Sequence, residues 1–252
     1  MTLFDFKKKL FAAFLHACIT FVVSILVWQL IRYWYPGELK YLMNTLALYK
    51  LLIGIEIILG PLISLVIYSA EKSIQQLAKD YLIVGIIQCS ALLYGLGMIS
   101  GDRPLFLVLS RDRLELVRAN DLDAKDVDLI ADKDFSPSLF SNTKIVCVNM
   151  PVEKIQRSDL LASVLSGKDI FRLPKYYRKC KSEELLNTGK KMVVLEALIR
   201  QDAMRNERLI KAIEKIDGKC AWLPFVTSVN VVTAIVCSPK NEVTRYLNYN
   251  SI

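Results

Sequence analysis

Histidine is almost absent from this 252-residue sequence, in which His16 is the one example. His16 lies within an apolar segment near the start of the chain, well before the charged second half. Catalytic triads and cysteine–histidine sites use histidine as their general base. The sequence therefore excludes such a site outside this first apolar segment.

Other common functional motifs are missing as well. There is no glycine-rich phosphate-binding loop and no Cys/His spacing typical of zinc. Residues 101–252 contain 25 basic and 20 acidic residues. These charges alternate in sign, whereas a nucleic-acid surface needs basic residues clustered on one face. We therefore expect no cofactor and no nucleic-acid partner.

One acidic run, DLDAKDVD at 121–128, is a candidate for metal binding. Hard cations such as Ca²⁺ prefer carboxylate ligands. The run has two Asp-x-Asp pairs but lacks the glycine turn and the terminal glutamate of a calcium loop. We favour a solvated loop with no metal, and a metal site is the alternative.

Apolar residues, by contrast, are in excess. They make up 53% of the chain, against about 45–50% in soluble domains, and they concentrate before residue 100. The segments 10–31, 45–68 and 81–99 approach or exceed the roughly 20 residues that a bilayer-spanning helix needs. The first is longer than a signal-peptide core of roughly 7–15 residues, and no cleavage site follows it. We predict a membrane protein with three N-terminal transmembrane α-helices in 1–100, followed by a soluble α+β domain in 101–252.

The lysines predict the orientation of these spans. Lys7, Lys8 and Lys9 precede the first span, and the connection 69–80 carries two more lysines. The other connection carries two basic residues, or three if Lys50 is included. Because positive charge favours the cytoplasmic side, the N-terminus is predicted to be cytoplasmic and the α+β domain periplasmic. Three arginines shortly after the third span oppose this orientation.

The α+β domain shows short, recognisable patterns. They predict a hairpin turn at 110–113 and a strand in KIVCVNM. Two helices are predicted, one from Ser158 to the stop residue Gly167 and a long one over about 182–217. Closing strands are predicted in AWLPFVTS, NVVTAIVCS and EVTRYLNY.

Four cysteines lie in this domain, and their state has two interpretations. In a periplasmic domain Cys147, Cys180, Cys220 and Cys237 could form disulfides, with three possible connectivities. Alternatively they are buried free thiols, since Cys147 and Cys237 lie in apolar strand segments. The sequence leaves both interpretations open.

Glu56 is the one acid in the apolar stretch LLIGIEIILGPLISLVIY. A carboxylate at the middle of a bilayer costs about 2.5–3.5 kcal/mol on insertion scales. Glu56 could stay protonated and hydrogen-bond to a neighbour such as Gln88 in the third span. Alternatively it receives a polar group from another protein's transmembrane helix. Glycines in the second and third spans offer close-packing surfaces for such a helix, and Pro61 can kink the second span.

Several segments together resemble one family. They are GIEIILGPLISLVIY, the stretch from KDYLIVGIIQCS to RLELVRANDLD, FRLPKYY, and the late WLPF and SPKNEV. In order and spacing they resemble the type IV pilin accessory proteins, the TfpX/TfpZ group. The most specific parts are Glu56 with Gly60-Pro61, then Tyr94-Gly95 and Arg103-Pro104. The usual acid at the first position is aspartate, and the cysteines are not part of the pattern.

The resemblance implies a non-enzymatic protein of the bacterial inner membrane. Such a protein would bind its cognate type IV pilin and promote or modulate pilus assembly, with the pilus assembly machinery and membrane lipid as further partners. We add the hypothesis that Glu56, in a glycine-rich groove, receives the charged N-terminal amine of the pilin's membrane helix. The candidate pilin contacts are Glu56, Gly60, Pro61, Gln88, Gly95, Arg172, Tyr176 and Tyr177.

Two of these interpretations, the contact residues in 172–177 and the function, have alternatives. Arg172, Tyr176 and Tyr177 resemble interface anchors, but the tyrosines could instead cap the domain core.

A pilin-modifying membrane enzyme, such as a glycan or lipid transferase, would need acidic or basic groups on the outer face, where the sequence offers just the run at 121–128. A small membrane transporter could use Glu56 as an ion relay, although three spans with a single acid argue against it.

Overall fold

The computed structural model describes residues 3–69, 71–130, 132–181, 183–191, 219–227, 231–237 and 242–247. The chain divides into two compact units, residues 1–101 and 102–252. We call them the helical unit and the sheet unit and describe each by itself.

The helical unit contains three helices long and apolar enough to cross a membrane, which confirms the three predicted N-terminal spans. Two of them extend beyond the predicted segments. The first starts at Leu3 and includes the lysines, and the last starts at Ile74 instead of Tyr81. Polar residues such as Gln75, Gln76 and Lys79 continue a helix well, so hydropathy marks the apolar part of a helix but not its ends. The helices are α1 (Leu3–Trp34), the short α2 (Leu39–Leu42), α3 (Thr45–Ile67) and α4 (Ile74–Gly101).

These helices converge at the end of the unit that carries Trp34 and Tyr35, which we call the aromatic end. Ile31, Trp34, Tyr35 and Ile99 are buried together there, and α3 contributes Tyr49 and Leu52 to the cluster. The Tyr35 hydroxyl donates a hydrogen bond to the Ile99 carbonyl oxygen at 2.6 Å. Apolar packing and this bond therefore hold α1, α3 and α4 together at one end.

The sheet unit is built on a mixed sheet whose described strands run in the order β4-β3-β1-β2-β6-β7-β8, with β5 paired to β6. Neighbouring strands are antiparallel except that β3 runs parallel to β1 and β6 parallel to β2. The predicted hairpin is confirmed, since β1 and β2 are joined by Arg111 and Asp112. The strands are β1 (Pro104–Ser110), β2 (Arg113–Arg118), β3 (Lys144–Val148), β4 (Tyr177–Arg178), β5 (Lys190–Lys191), β6 (Cys220–Val226), β7 (Val231–Cys237) and β8 (Glu242–Leu247).

The core of the sheet unit lies around its central strands. β1 is buried along six consecutive residues, as expected for a strand covered on both faces. One buried cluster joins Phe106 and Val108 of β1 to Val117, Val146 and Phe135 from the rest of the unit. β6 instead alternates between buried and half-buried positions, the period-2 pattern of a strand with one better-covered face.

Two helix predictions for this unit are wrong in part. α6 covers Lys154–Leu165, so Ser158 lies inside the helix instead of starting it. Gly167, at φ +89°, follows the helix as predicted. The long helix predicted from residue 182 is interrupted: α7 is Glu184–Thr188, and Lys190–Lys191 then pairs with β6. Most of that predicted helix, 192–218, lies outside the described residues.

The four cysteines of the sheet unit form two disulfides. One joins Cys147 on β3 to Cys180, which follows the edge strand β4, across 33 residues. The other joins Cys220 to Cys237, which are direct partners on β6 and β7. Cys18 and Cys89 in the membrane-type helices are free and exposed. The structure thus agrees with the disulfide interpretation of these four cysteines and not with buried free thiols.

We expect loss of the Cys147–Cys180 disulfide to destabilise the sheet unit. Replacing both residues with serine reopens a loop of 33 residues, and a cross-link of this size stabilises a fold by about 2–4 kcal/mol. The expected result is a lower melting temperature and faster limited proteolysis of the detergent-solubilised full chain. The matched control, Cys18→Ser with Cys89→Ser, should change neither. Peptide mapping without reduction that finds a free thiol at Cys147 would contradict the pairing.

Candidate functional site

A groove of about 860 Å³ lies within the helical unit. One wall comes from the first two-thirds of α1 and the other from α4, while α3 contributes Ile53 and Glu56. Lys7, Lys8, Tyr68 and Leu77 lie at one end, which we call the lysine end. The groove is mostly apolar but contains a small number of polar side chains at helical positions that would lie deep in a bilayer.

The order of packing between the helices explains the groove. α3 packs against both α1 and α4. At the opposite end, the groove reaches Val23 and Leu92, which already pack on the aromatic-end cluster. The groove is therefore closed by that cluster and lies in the half of the unit that contains the lysine end.

Glu56 is half-buried and lines the groove from the middle of α3. Within the described part of the chain, its carboxyl group makes no hydrogen bond or ion pair. The internal bond to Gln88 that the sequence left open is not formed, since neither the Glu56 carboxyl nor the Gln88 Nε2 atom has a hydrogen-bond partner among the described residues. Glu56 and Gln88 do line the same groove, from different helices.

A polar contact beside the groove joins α1 to α3. The His16 Nδ1 atom and the Ser64 hydroxyl form a hydrogen bond of 2.7 Å, and Ser64 is fully buried. Gly60 allows the histidine ring to lie there, since a Cβ atom at position 60 would be 2.7 Å from His16 Nε2. The sequence analysis uses His16 only to exclude histidine-dependent catalytic sites outside the first apolar segment. It does not predict the hydrogen bond between His16 and Ser64. Its signal was a single imidazole inside an apolar helix.

Two side chains on α4 carry hydrogen-bond donors for which the described part of the chain supplies no acceptor. The Tyr81 hydroxyl and the Gln88 Nε2 atom are buried and have no hydrogen-bond partner among the described residues. Both side chains line the groove. The sequence pointed to Gln88 but not to Tyr81, because a tyrosine near the end of a span is normally read as a membrane-interface residue.

The other two candidates in the helices serve contacts or geometry within the chain. At Gly95 a Cβ atom would lie 2.6 Å from Leu52 Cδ1, so this glycine allows α3 and α4 to approach closely. α3 continues as a helix through Pro61. The proline nitrogen cannot donate a hydrogen bond to the Ile57 carbonyl oxygen, one turn earlier and one residue after Glu56.

The segment around Arg172 divides between core and surface. Tyr177 is buried, packs edge-on against Phe106 with ring centroids 5.1 Å apart, and donates a hydrogen bond to the Phe171 carbonyl. Its predicted role as a pilin contact therefore does not fit the structure, whereas the alternative core role does. Arg172 and Tyr176 are half-buried and stay candidates for a surface contact.

Three of the four acids of the run at 121–128 are engaged with basic groups. Burial raises the pKa of Asp121, but hydrogen bonds from Arg118 outweigh it and leave that pKa below its ordinary value. Lys168 contacts both Asp123 and Asp126, and these hydrogen bonds raise the pKa of the lysine. Internal cations thus occupy three carboxylates that a metal ion would need.

The chain is similar to fimbrial assembly proteins of Dichelobacter nodosus. It is 22% identical to the serogroup I protein over 246 residues, which cover 94% of this chain and 95% of that protein. It is 30% identical to the serogroup E1 protein over 120 residues, covering 46% and 47% of the two chains. The protein of serogroups C1 and C2 is 29% identical over 120 residues, covering 46% of this chain and 92% of that protein.

No protein-family model matches the chain, and no solved structure matches it. The similarity to the three proteins confirms the predicted resemblance at the level of fimbrial assembly proteins. The narrower assignment to the TfpX/TfpZ group stays a prediction.

We expect Gly60→Ala to destabilise the helical unit. The new methyl group would meet the His16 ring, displace it and break its hydrogen bond to Ser64. Overpacking of this kind typically costs about 1–3 kcal/mol. The melting temperature of the purified full chain in detergent should therefore fall.

Gly54→Ala, on the same helix, is the matched control because a Cβ atom there has no neighbour within 4 Å. It should leave the melting temperature unchanged or raise it slightly, since alanine favours the helix. Adding His16→Ala to Gly60→Ala should recover part of the loss. Equal melting temperatures for the two single variants would contradict the role given to Gly60.

Proposed function

We propose that this chain, a relative of fimbrial assembly proteins over nearly its whole length, is an inner-membrane factor that binds a type IV pilin and promotes or modulates assembly of the fimbria. Three membrane-type helices and the similarity to the Dichelobacter nodosus proteins support this function. The observation that carries it is Glu56, an acid without a partner in the described part of the chain, on the wall of a groove between those helices.

The groove has a position for one additional helix. α3 packs on α1 and α4, so a helix placed against the groove would contact both outer helices and give a four-helix arrangement. Helices in lipid associate through close packing and hydrogen bonds instead of through the hydrophobic effect. A groove that combines small residues such as Ala12 and Gly85 with polar groups suits that kind of association.

The acidic side chain of Glu56 suggests that the bound helix carries a cationic group. A carboxylate within a bilayer is costly unless a partner compensates it. The hypothesis formed from the sequence places the N-terminal ammonium group of the pilin's membrane helix against Glu56. The pair would form a charge-assisted hydrogen bond, which is about twice as strong as a neutral one.

Two features support a periplasmic location for the sheet unit. The lysines of the helical unit favour a cytoplasmic lysine end. The disulfides Cys147–Cys180 and Cys220–Cys237 persist in an oxidising compartment, and the periplasm is one. In this orientation the groove lies in the cytoplasmic half of the membrane.

We also propose that the chain acts by binding and not as an enzyme. A modifying enzyme would need available acidic or basic groups on the outer face. Asp121, Asp123 and Asp126 are engaged by Arg118 and Lys168. On that face, Arg172 and Tyr176 remain candidates for a second, weaker contact with the pilin.

The charge of Glu56 is testable by an isosteric substitution. Glu56→Gln keeps the shape of the side chain and its capacity to hydrogen-bond but removes the negative charge. We expect the variant to insert and accumulate normally, because glutamine is no more costly in lipid than glutamate. Its crosslinking to pilin and the number of surface fimbriae should fall, since an amide cannot balance an ammonium charge.

The matched variant Glu56→Asp keeps the charge on a shorter side chain and should be milder in both assays. Immunoblots of the factor separate loss of binding from loss of the protein. Normal fimbriation and normal crosslinking by Glu56→Gln would make Glu56 an internal polar group instead of a pilin contact.

The orientation is testable with reporters fused after residue 252. A reporter active in the periplasm, such as a phosphatase that needs disulfides, should be active there. A reporter that functions in the cytoplasm alone should be inactive at the same position. The opposite pattern would reverse the orientation and would place the disulfides in a reducing compartment.

A further inference from the structure

The α4 wall of the groove contains two donors that have no acceptor among the residues the structure describes. The Tyr81 hydroxyl and the Gln88 Nε2 atom have no hydrogen-bond partner in the described ranges of the chain, and both are shielded from solvent. The two residues are seven positions apart, which is two helical turns or roughly 10 Å along α4. They therefore lie on one face of the helix, at two depths of the same groove.

A donor in this position is costly in a membrane. Buried polar groups in native structures nearly always have a partner, and lipid tails offer no acceptor. The apolar lining residues, such as Leu77 and Leu92, offer none either, and within the described residues the Glu56 carboxyl on α3 bonds neither donor. Two unpartnered donors on one wall therefore indicate that the acceptor comes with the occupant of the groove.

The length of the groove indicates what kind of occupant this is. On α4 one face lines the groove from Leu77 to Leu92, which is roughly 22 Å along the helix. α1 lines it over a similar length, so the groove runs along both helices and suits another helix packed beside them. A membrane helix bonds its own backbone carbonyls internally, so a free acceptor on it belongs to a side chain.

We propose that Tyr81 and Gln88 each recognise a side-chain oxygen, from a carboxyl or carboxamide group, on the transmembrane helix bound in the groove. This inference rests on the proposed function, in which Glu56 on the α3 wall binds a cationic group of the same helix. Because both donor atoms are covered in the free chain, the side chains rotate toward the groove on binding. The three side-chain torsions of Gln88 and rotation about the Cα–Cβ bond of Tyr81 permit this movement.

The groove has donors on α4 and an acid on α3, and these opposite hydrogen-bonding characters give it selectivity. A helix that carries a cationic group and oxygen acceptors satisfies both helices. A wholly apolar helix leaves Tyr81, Gln88 and Glu56 unpaired, and buried unpaired groups discriminate strongly against a ligand that lacks their partners. The groove therefore selects among membrane helices by their few polar side chains.

The test uses a photo-crosslinking amino acid placed in the groove of the full chain, co-expressed with the fimbrial subunit of the same bacterium. Ile19 lines the groove, and Val22 on the same helix is exposed and does not. Two substitutions remove the donors with little change of shape: Tyr81→Phe and Gln88→Met. Tyr94→Phe is the matched control, because Tyr94 lies on the same helix, outside the groove, and is 73% exposed.

We expect a crosslink to the fimbrial subunit from position 19 but not from position 22. Tyr81→Phe and Gln88→Met should each lower its yield about threefold at unchanged factor abundance, the typical effect of one hydrogen bond between membrane helices. Tyr94→Phe should have no effect. A lower abundance of the factor in Tyr81→Phe and Gln88→Met would show that the donors serve the chain's own stability and would overturn the proposal.

The outcomes separate this inference from the function on which it rests. If neither donor substitution changes the yield but Glu56→Gln does, acceptor recognition is wrong and the proposed function stands. If position 19 of the unsubstituted chain gives no crosslink to the fimbrial subunit, the proposed function is wrong as well.

Discussion

The inability of lipid tails to form hydrogen bonds is the constraint on which the helical unit depends. Each polar group at depth must find its partner in protein. His16 and Ser64 satisfy this rule within the chain, through a bond of 2.7 Å. Glu56, Tyr81 and Gln88 do not satisfy it within the described residues. Some polar groups of the helical unit are therefore hydrogen-bonded within the described chain and others are not. Those that are not line the groove.

The two ends of the helical unit differ because they use different interactions. At the aromatic end, large apolar side chains and the Tyr35–Ile99 hydrogen bond bring three helices together. At the lysine end, polar residues line a space between α1 and α4. A well-packed closed end can hold the groove walls at a fixed spacing, which reduces the ordering that a bound helix would otherwise have to impose.

Much of the fold is predictable from the sequence because it rests on local patterns. Hydropathy identifies the three spans, and the alternation around Arg111 identifies the β1–β2 hairpin. The disulfide pairs depend on strand order, which brings Cys220 beside Cys237 and Cys147 beside Cys180 through contacts distant in sequence. The helical pattern beginning at 182 fails at Lys190–Lys191, where pairing with β6 outweighs helix propensity. The role of Tyr81 cannot be predicted from the sequence for the same reason. Whether its hydroxyl has an acceptor among the described residues depends on tertiary structure.

The fit between Gly60 and His16 also bears on how such chains diverge. The two positions lie 44 residues apart but share one small volume, because the imidazole ring occupies the space that a side chain at 60 would fill. A change at either position alters what the other tolerates. A chain with a short residue at 16 is free to place a larger one at 60, but it loses the hydrogen bond to Ser64. Substitutions at these two sites should therefore accumulate in pairs, with glycine at 60 accompanying a ring at 16.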